Sequence, residues 1–406
     1  MKRRTALDIK EKDLKENKRF FLVSGMEGVG KTTLVLDYIR ENYEKYLYID
    51  GTEAGAFMSF YEKCDEINVK DVLSDYFQID TDYLINIPVI IDEPCEKMSQ
   101  GLFKGYNGFI KLFVITPDEE SAETISKDID KELIFRMRLK PLDFGEFLTA
   151  IDKEWYAEVI EGHLLSRKKI PEMIHDELSD LFELFLQTGG MPEVINEYLK
   201  TQETYNISSK QKFVKYGIVY KSIFQSECRS RSKVKTLWDA MENVLEKDNH
   251  KFMFSSIRDG ACEKEFEEEL KFLISRNLII QVKKFDIAKE NKGIRYYYSD
   301  TALYERPDRR KTIESLLIQE INNSGTEVFY WESGKGASVD MVLKKGNNYI
   351  PVELKTTGKS NLRSVRSFLS GMDGKKYISI SNDNCRFEDN VIQVPIYSAY
   401  SIHTIL

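Results

Sequence analysis

The residues best suited to chemistry lie between Gly25 and Thr32, where the sequence reads GMEGVGKT. This stretch fits the pattern G-x-x-x-x-G-K-[ST] at every fixed position. Glycines in such a loop let backbone N–H groups point at phosphate oxygens, Lys31 adds positive charge, and the Thr32 hydroxyl can bind Mg²⁺. The pattern therefore predicts a nucleotide-phosphate site. The residues expected to contact the nucleotide are Gly25, Gly28, Val29, Gly30, Lys31, Thr32 and Thr33.

The elements predicted on either side of this loop distinguish it from the alternative, a glycine-rich turn that carries an exposed lysine. Residues 19–24 (RFFLVS) form a short apolar, aromatic run that predicts a buried strand, and residues 34–39 predict a helix. The positive end of such a helix dipole points at the same phosphates. A strand before the loop and a helix after it favour the nucleotide site.

A pair of acidic residues follows a second apolar run. Residues 88–91 (PVII) predict a central strand of a parallel sheet, and Asp92 and Glu93 come directly after it. Ligands bind at the carboxyl edge of such sheets. We expect Asp92 to hold Mg²⁺ together with Thr32, and Glu93 to polarise the attacking water. Without a preceding phosphate loop, the same run would mark an ordinary strand end. The predicted catalytic residues are Lys31, Asp92 and Glu93.

Other apolar runs complete an alternation of strands and helices in the first third of the chain. Strands are predicted at residues 46–50, 109–116 and 133–139. This repeated order is typical of a parallel sheet with helices on both faces. Thr116 ends one of these runs, where its hydroxyl could contact the γ-phosphate, although threonines are also ordinary at strand ends.

Length, charge and cysteine use limit the class of protein. The chain has 406 residues, which predicts two or three domains. Its net charge of −8 argues against nonspecific coating of nucleic acid but is compatible with a local basic groove. The five cysteines show no C-x-x-C spacing, which predicts free thiols and no structural zinc. They are Cys64, Cys95, Cys228, Cys262 and Cys385.

The sequence shows no sign of membrane targeting. Its first twenty residues are charged throughout, which does not fit a signal peptide. No run of about 18 apolar residues predicts a transmembrane helix. The expected location is cytoplasmic.

Four motifs resemble those of bacterial and archaeal AAA-type ATPases that are related to signal-transduction (STAND-like) NTPases and carry a C-terminal restriction-endonuclease-like domain. They are GMEGVGKTT at 25–33, VIIDEP at 89–94, PLDFGEFL at 141–148 and GGMPEV at 189–194. The resemblance implies ATP and Mg²⁺ as ligands, ATP hydrolysis, and Pro192 packed near the nucleotide base. Read alone, GGMP indicates only a helix stop followed by a proline-started helix.

The sequence departs from this family at two places. Glu27 stands near the position where the family often has an arginine, and Thr116-Pro117-Asp118 replaces a T-G-S-like strand end. Both departures weaken the expected role of Thr116, and neither concerns Lys31 or Asp92.

The middle of the chain predicts a helical lid at residues 143–235 and a winged-helix-like segment at 236–305. The second helix of that segment, at 261–276, contains five glutamates between positions 263 and 269. An acidic helix would repel DNA phosphates, so we favour a structural or protein-contact role over DNA reading. The basic residues at 228–233 fit a solvated loop, a charge supplied to a neighbouring subunit's ATP, or a nucleic-acid contact.

A second candidate site lies on a predicted β-hairpin near the C-terminus. Asp340 belongs to its first strand, while Glu353 and Lys355 lie two residues apart and so share one face of the second. This set resembles the D…(D/E)-x-K site of restriction-endonuclease-like nucleases, which implies Mg²⁺ on the carboxylates and a lysine that activates water. By the same resemblance Glu314 completes the carboxylate set, with Glu320 as the alternative.

Solvated charges on a hairpin are common, so the sequence leaves the activity of this region open. Residues 310–406 carry 12 Lys/Arg and 10 Asp/Glu, which makes them the basic part of an acidic chain. DNA or another protein could bind here. The basic residues that would help bind DNA are Lys355, Lys359, Arg363 and Arg366.

Three functions are compatible with the sequence. The first is an ATP-hydrolysing switch for the C-terminal domain, the second an ATP-regulated Mg²⁺-dependent nuclease, and the third a nucleotide-bound interaction module without useful turnover. The expected fold is α/β, with a P-loop parallel sheet followed by the lid, the winged-helix-like segment and a C-terminal α/β domain. The predicted boundaries are 1–142, 143–235, 236–305 and 306–406, and the sequence does not predict the oligomeric state.

Overall fold

The structure, a computed structural model, forms two compact units. The N-terminal unit contains Lys2–Lys140 and Ser275–Asn277, and the C-terminal unit contains Pro141–Ile274 and Leu278–Leu406. The finer four-part division predicted from the sequence stays a prediction. The residues described are 9, 18–51, 55, 57, 59, 69–94, 111–127, 129–225, 230–245, 251–286, 293–304, 309–355, 362–372 and 374–406.

The N-terminal unit is built on a five-stranded parallel sheet, which confirms the predicted fold class. The strand order is β2-β3-β4-β1-β5. Because the strands are parallel, the residues that follow β1, β3 and β4 emerge at one edge of the sheet. The strands are β1 (Phe20–Gly25), β2 (Leu47–Asp50), β3 (Val89–Asp92), β4 (Leu112–Thr116) and β5 (Ile134–Leu139).

Helices accompany this sheet in the N-terminal unit. The central strands β1, β3 and β4 are buried along their whole length, which explains why they are apolar runs rather than alternating ones. On one face, the Phe21 and Phe113 rings stack at 4.5 Å between centroids. The helices are α1 (Lys31–Asn42), α2 (Val69–Phe77), α3 (Thr81–Ile85) and α4 (Glu119–Ser126).

The first half of the C-terminal unit is helical. Asp143 caps the first of its helices by accepting a hydrogen bond from the Glu146 backbone N–H at 2.8 Å. The helices are α5 (Phe144–Ala150), α6 (Glu154–Ser166), α7 (Glu172–Thr188), α8 (Pro192–Thr201), α9 (Tyr205–Tyr220), α10 (Arg231–Leu245) and α11 (Glu267–Ser275).

Two sequence patterns in these helices have the expected structural result. Leu178, Leu181, Phe182 and Phe185 have the spacing of one helix face, and on α7 all of them are buried except Leu181, which is partly buried. The GGMP sequence ends one helix and begins the next, with Pro192 as the first residue of α8.

The second half of the C-terminal unit contains a mixed eight-stranded sheet of order β12-β13-β11-β10-β9-β8-β6-β7. Helices α12 (Arg309–Asn323) and α13 (Leu362–Leu369) pack against it. The strands are β6 (Ile279–Lys284), β7 (Ile294–Tyr298), β8 (Glu327–Glu332), β9 (Ser338–Lys345), β10 (Asn348–Lys355), β11 (Tyr377–Ser381), β12 (Arg386–Phe387) and β13 (Val391–Pro395).

Strand β6, which lies in the segment predicted to be winged-helix-like, is part of this large sheet. It forms an antiparallel hairpin with β7 and pairs in parallel with β8 through Lys283 and Phe329. The helices expected before it are present as α10 and α11. The winged-helix assignment of this segment stays a prediction.

Within the part of the chain that the structure describes, no helix is long and apolar enough to cross a bilayer. Cys262 is exposed, Cys385 is buried, and both are free thiols. Four residues singled out in the sequence lie outside the described part. They are Cys64, Cys95, Cys228 and Lys359.

Candidate nucleotide site

Three glycines shape the loop between β1 and α1. Gly25, Gly28 and Gly30 have φ angles of 151°, 78° and 90°, all in the region that favours glycine. A Cβ atom on Gly25 would lie 2.1 Å from the carbonyl oxygen of Leu139 on the neighbouring strand. The loop therefore requires glycine for its backbone path, and it leads directly into the N-terminus of α1, where an anion is stabilised.

Lys31 supplies the positive charge of the loop. Its Nζ atom donates hydrogen bonds to the carbonyl oxygens of Gly25 and Met26 at 2.8 and 3.2 Å. The first turn of α1 contains no acidic residue. The ammonium and the helix dipole thus add to each other at the loop, where a phosphate group would be stabilised. Of the neighbouring predicted contact residues, Val29 is buried and Thr33 is exposed.

Asp92 lies beside the end of this loop, as the sequence predicts. The Thr32 hydroxyl donates a hydrogen bond to Asp92 Oδ2 at 2.6 Å, and the Tyr48 hydroxyl donates another at 3.0 Å. Burial raises the pKa of Asp92, and these two hydrogen bonds and the charge of Lys31 oppose that rise. Tyr48 was not identified from the sequence, because its contact depends on the pairing of β2 with β3.

The oxygen atoms of Thr32 and Asp92 fit the preferences of Mg²⁺. Carboxylate and hydroxyl oxygens are hard ligands, and Mg²⁺ is usually held by one or two carboxylates together with phosphate oxygens. A divalent cation would also offset the burial that disfavours the charged form of Asp92. The residues present therefore fit the predicted Mg²⁺ site.

Glu93 occupies a constrained position directly after β3. Its φ angle is 52°, which is uncommon for a residue other than glycine. Burial, the nearby charge of Glu27 and a hydrogen bond with Glu27 raise the pKa of Glu93 to about 8. Gly51 packs against this turn, since a Cβ atom there would lie 1.9 Å from the Glu93 carbonyl oxygen. The carboxyl group that we expect to polarise water thus faces an acidic residue of the phosphate loop.

Thr116 is fully buried at the end of β4, in register with Ser24 of β1. Its hydroxyl donates a hydrogen bond to the carbonyl oxygen of Asp118 at 3.0 Å. The Asp118 side chain caps α4 and lies 3.1 Å from the Nε atom of Arg276. Contact between Thr116 and a γ-phosphate stays a prediction, as does the packing of Pro192, a residue of the C-terminal unit, near the base.

The second candidate site is organised around an arginine that was not identified from the sequence. Arg295 on β7 is 7% exposed and lies among three carboxylates of other elements. Its Nη1 and Nη2 atoms are 3.1 Å from Asp340 Oδ1 and 2.9 Å from Glu332 Oε1, and Nη1 is 4.0 Å from Glu314 Oε1. A guanidinium group therefore lies beside two of the carboxylates that were expected to hold Mg²⁺, Asp340 and Glu314.

Further cations and a tyrosine complete this arginine-centred cluster. Lys251 pairs with Glu332 at 2.6 Å, Arg310 lies 3.6 Å from Asp340, and the Tyr297 hydroxyl donates to Glu314 at 2.8 Å. Burial and the charge of Asp340 raise the pKa of Glu314 to about 7. Burial would raise the pKa of Glu332, but hydrogen bonds from Lys251 and Arg295 lower it.

The remaining residues of the predicted second site have other contacts. Glu353 is buried and lies 3.7 Å from Lys355 on the same strand. Glu320, the alternative to Glu314, accepts a hydrogen bond from the Phe144 backbone N–H at 2.9 Å. Across the described ranges, no group of three or more His, Cys, Asp or Glu side chains is arranged to hold a metal ion. Nuclease chemistry at this site stays a prediction.

The glycine-rich loop, the neighbouring Asp92 and the five-stranded parallel sheet together define the fold of a P-loop ATPase. A family profile described as a domain of unknown function, DUF4143, matches residues 311–398. No curated protein shows a significant match to the chain.

Several solved structures are similar to this chain. A Walker-type ATPase of Pyrococcus abyssi is 16% identical with a TM-score of 0.45, over 77% of this chain and 95% of that one. A signal-transduction ATPase with numerous domains and a tetratricopeptide repeat sensor, from Pyrococcus horikoshii, is 14% identical with a TM-score of 0.30, over 78% and 44%. Cdc6p from Pyrobaculum aerophilum is 9% identical with a TM-score of 0.28, over 72% and 88%. Because all three TM-scores are low, the functional assignment depends on this chain's own residues.

Proposed function

We propose that the N-terminal unit binds ATP with Mg²⁺ and hydrolyses it. The observation that carries this proposal is the contact of Thr32 with Asp92, whose side-chain oxygens are 2.6 Å apart although the residues belong to different elements. This contact joins the end of the phosphate loop to the end of β3. Phosphate-binding and Mg²⁺-binding groups of the kind required for phosphoryl transfer are therefore adjacent.

Each residue of the site has a distinct role in the proposed reaction. The backbone N–H groups of the loop would hold the phosphates, and Lys31 would stabilise the charge that develops on the transferred group. Thr32 and Asp92 would hold Mg²⁺, which neutralises phosphate charge when it is bound. Glu93 would accept a proton from the attacking water or orient it, once its own proton has been lost.

We further propose that this ATPase acts as a switch for the C-terminal unit. In such a switch, the nucleotide favours one of two arrangements, and the difference in its affinity for them sets the size of the effect. The C-terminal unit would then present its surface to DNA or to another protein. Its arginine-centred cluster favours this binding role over cleavage, since a guanidinium group already neutralises Asp340.

The test is steady-state ATP hydrolysis by the full chain with Mg²⁺, measured for wild type, Lys31→Ala and Glu93→Gln. We expect Lys31→Ala to lose ATP binding, and Glu93→Gln to keep binding and lose turnover. Lys131→Ala, which removes an exposed lysine of the same unit, is the matched control and should behave as wild type. Retained turnover in Glu93→Gln would contradict the role given to Glu93.

A second arm of the same experiment addresses the switch. Turnover is measured with and without mixed DNA and RNA, and the nucleic acid is then examined on a gel. Stimulation without cleavage would support a switch that reads nucleic acid. Cleavage that is lost in Asp340→Ala would instead support the ATP-regulated nuclease. Stable ATP binding without turnover in wild type would support an interaction module and overturn the ATPase proposal.

A further inference from the structure

Glu27 is an acidic residue in a loop that we propose to bind anions. It is the third residue of the loop, and its Oε1 atom lies 3.7 Å from Lys31 Nζ. Its side chain is 12% exposed and that of Lys31 is 5% exposed, so water screens their interaction only in part. The lysine expected to contact the terminal phosphate is therefore already next to a carboxylate.

The same carboxylate reaches the second group needed for hydrolysis. Glu27 is hydrogen-bonded to Glu93, the residue proposed to act on the attacking water. Lys31 and Glu93 lie on different elements, α1 and the end of β3, and Glu27 contacts both. A γ-phosphate would have to contact Lys31 and lie close to Glu93, so its surroundings overlap those of Glu27.

Two anions next to one ammonium group repel each other, and the repulsion is large where water is largely excluded. The γ-phosphate would meet the Glu27 carboxylate directly. ADP has no γ-phosphate, and its β-phosphate would be held mainly by the backbone N–H groups of the loop. The competition should therefore affect ATP far more than ADP.

We propose that Glu27 is a built-in competitor of the γ-phosphate. Its carboxylate holds Lys31 until the γ-phosphate of ATP displaces it, and it thereby weakens the binding of triphosphates relative to diphosphates. This inference rests on the proposed function, because it concerns the same loop.

The test is isothermal titration calorimetry of the full chain with Mg²⁺ and either ADP or the non-hydrolysable ATP analogue AMP-PNP. Glu27→Gln keeps the shape of the side chain and removes its charge. We expect this variant to bind AMP-PNP roughly 5- to 10-fold more tightly than wild type and to bind ADP with less than about a twofold change. Glu27→Ala, which removes the carboxyl group altogether, should show the same preference.

Glu41→Gln is the matched control, since Glu41 is an exposed residue of α1 in the same unit and its substitution changes the net charge equally. It should leave both affinities unchanged. Unchanged or weaker AMP-PNP binding in Glu27→Gln, or an equal gain for both nucleotides, would overturn the inference. If wild type binds AMP-PNP and Lys31→Ala does not, nucleotide binding at the loop stands whatever the Glu27 result. Nucleotide binding that does not depend on Lys31 would contradict both the proposed function and the role given to Glu27.

Discussion

The two charged sites of this protein differ in how their charges are balanced. At the loop, Thr32 and Tyr48 are neutral donors to Asp92, and they leave the net charge of this buried carboxylate unchanged. In the C-terminal unit, Asp340 and Glu332 bind the guanidinium group of Arg295. The side chains that hydrogen-bond Asp92 are thus neutral, whereas in the second site the carboxylates contact a cation that the protein supplies.

This difference distinguishes the loop site, which is suited to binding a cation, from the arginine-centred cluster, which resembles a metal site only in its sequence. Burying a charged carboxylate among neutral partners is unfavourable in free energy, and a bound cation would offset that unfavourable term. A carboxylate paired with a buried arginine has already been compensated. We therefore expect substitutions at the loop to change chemistry, and substitutions in the arginine-centred cluster to change stability.

Asp92→Asn should have the largest effect on activity. The substitution removes the charge that we expect to hold Mg²⁺, while the amide oxygen can still accept hydrogen bonds from Thr32 and Tyr48. Turnover of ATP should fall on the order of 100-fold. Steady-state kinetics over a range of Mg²⁺ concentrations would measure the change. Asp75→Asn, at an exposed position of α2, should keep wild-type kinetics. Equal losses of turnover in both variants would contradict a specific role of Asp92.

Arg295→Met should have the largest effect on stability. It leaves Glu314, Glu332 and Asp340 without their shared cation, and breaking a buried ion pair costs about 3–5 kcal/mol. The midpoint of urea unfolding would report the loss. Arg310→Met removes a cation that is 62% exposed, and it should cost less than about 1 kcal/mol. Similar losses in the two variants would show that the buried guanidinium has no special role.

Gly51→Ala should affect both stability and turnover in the N-terminal unit. The added Cβ atom would lie 1.9 Å from the Glu93 carbonyl oxygen and 2.8 Å from that of Asp92, and neither backbone atom can rotate away. We expect a loss of about 1–3 kcal/mol in the free energy of unfolding, together with slower ATP turnover. Thermal unfolding and kinetics measure these. Gly55→Ala, where a Cβ atom would meet nothing within 4 Å, should lower neither quantity.

Glu314→Gln should change how stability depends on pH. The pKa of Glu314 is raised to about 7 from an ordinary value of 4.5, so the folded protein binds its proton more tightly than the unfolded chain. Its contribution to stability is complete below pH 4.5 and is lost as the pH rises through 7. The variant cannot titrate at this position.

Unfolding midpoints between pH 4 and 8 would show the effect as a difference between wild type and variant. The stability of wild type relative to Glu314→Gln should fall across that window, by up to about 3 kcal/mol. Glu327→Gln changes an exposed carboxylate and should follow wild type throughout. A flat difference for Glu314→Gln would mean that its carboxyl group does not titrate differently in the folded protein.

The sequence predicts much of the loop site because most residues of that site belong to short motifs that are contiguous in the sequence. Gly25 and Lys31 belong to one short motif, and Asp92 follows a strand that parallel topology brings to the same edge. The contacts of Tyr48 and of Arg295 depend instead on pairing between distant segments. The periodicity of apolar residues and the spacing of motifs do not predict which distant segments will pair.

One clue to Arg295 was nevertheless present in the sequence. It stands alone before three tyrosines in β7, and a guanidinium group in an apolar strand requires buried carboxylates nearby. Which carboxylates those would be could not be predicted, since they come from α12, β8 and β9. The C-terminal motif therefore named Asp340 and Glu314, which lie beside Arg295, but gave no indication of the cation that pairs with them.

The ion pair between Asp118 and Arg276 has a consequence for biosynthesis. Both residues belong to the N-terminal unit, although Arg276 arrives in the short segment Ser275–Asn277. Ribosomes add roughly 5–20 residues per second, so the segment follows Asp118 by about 8–30 s. The N-terminal unit can form its sheet early in translation, but it completes its own set of ion pairs only after most of the helical half of the next unit has been synthesised. A nascent chain that stalls in that interval would display Asp118 without this partner.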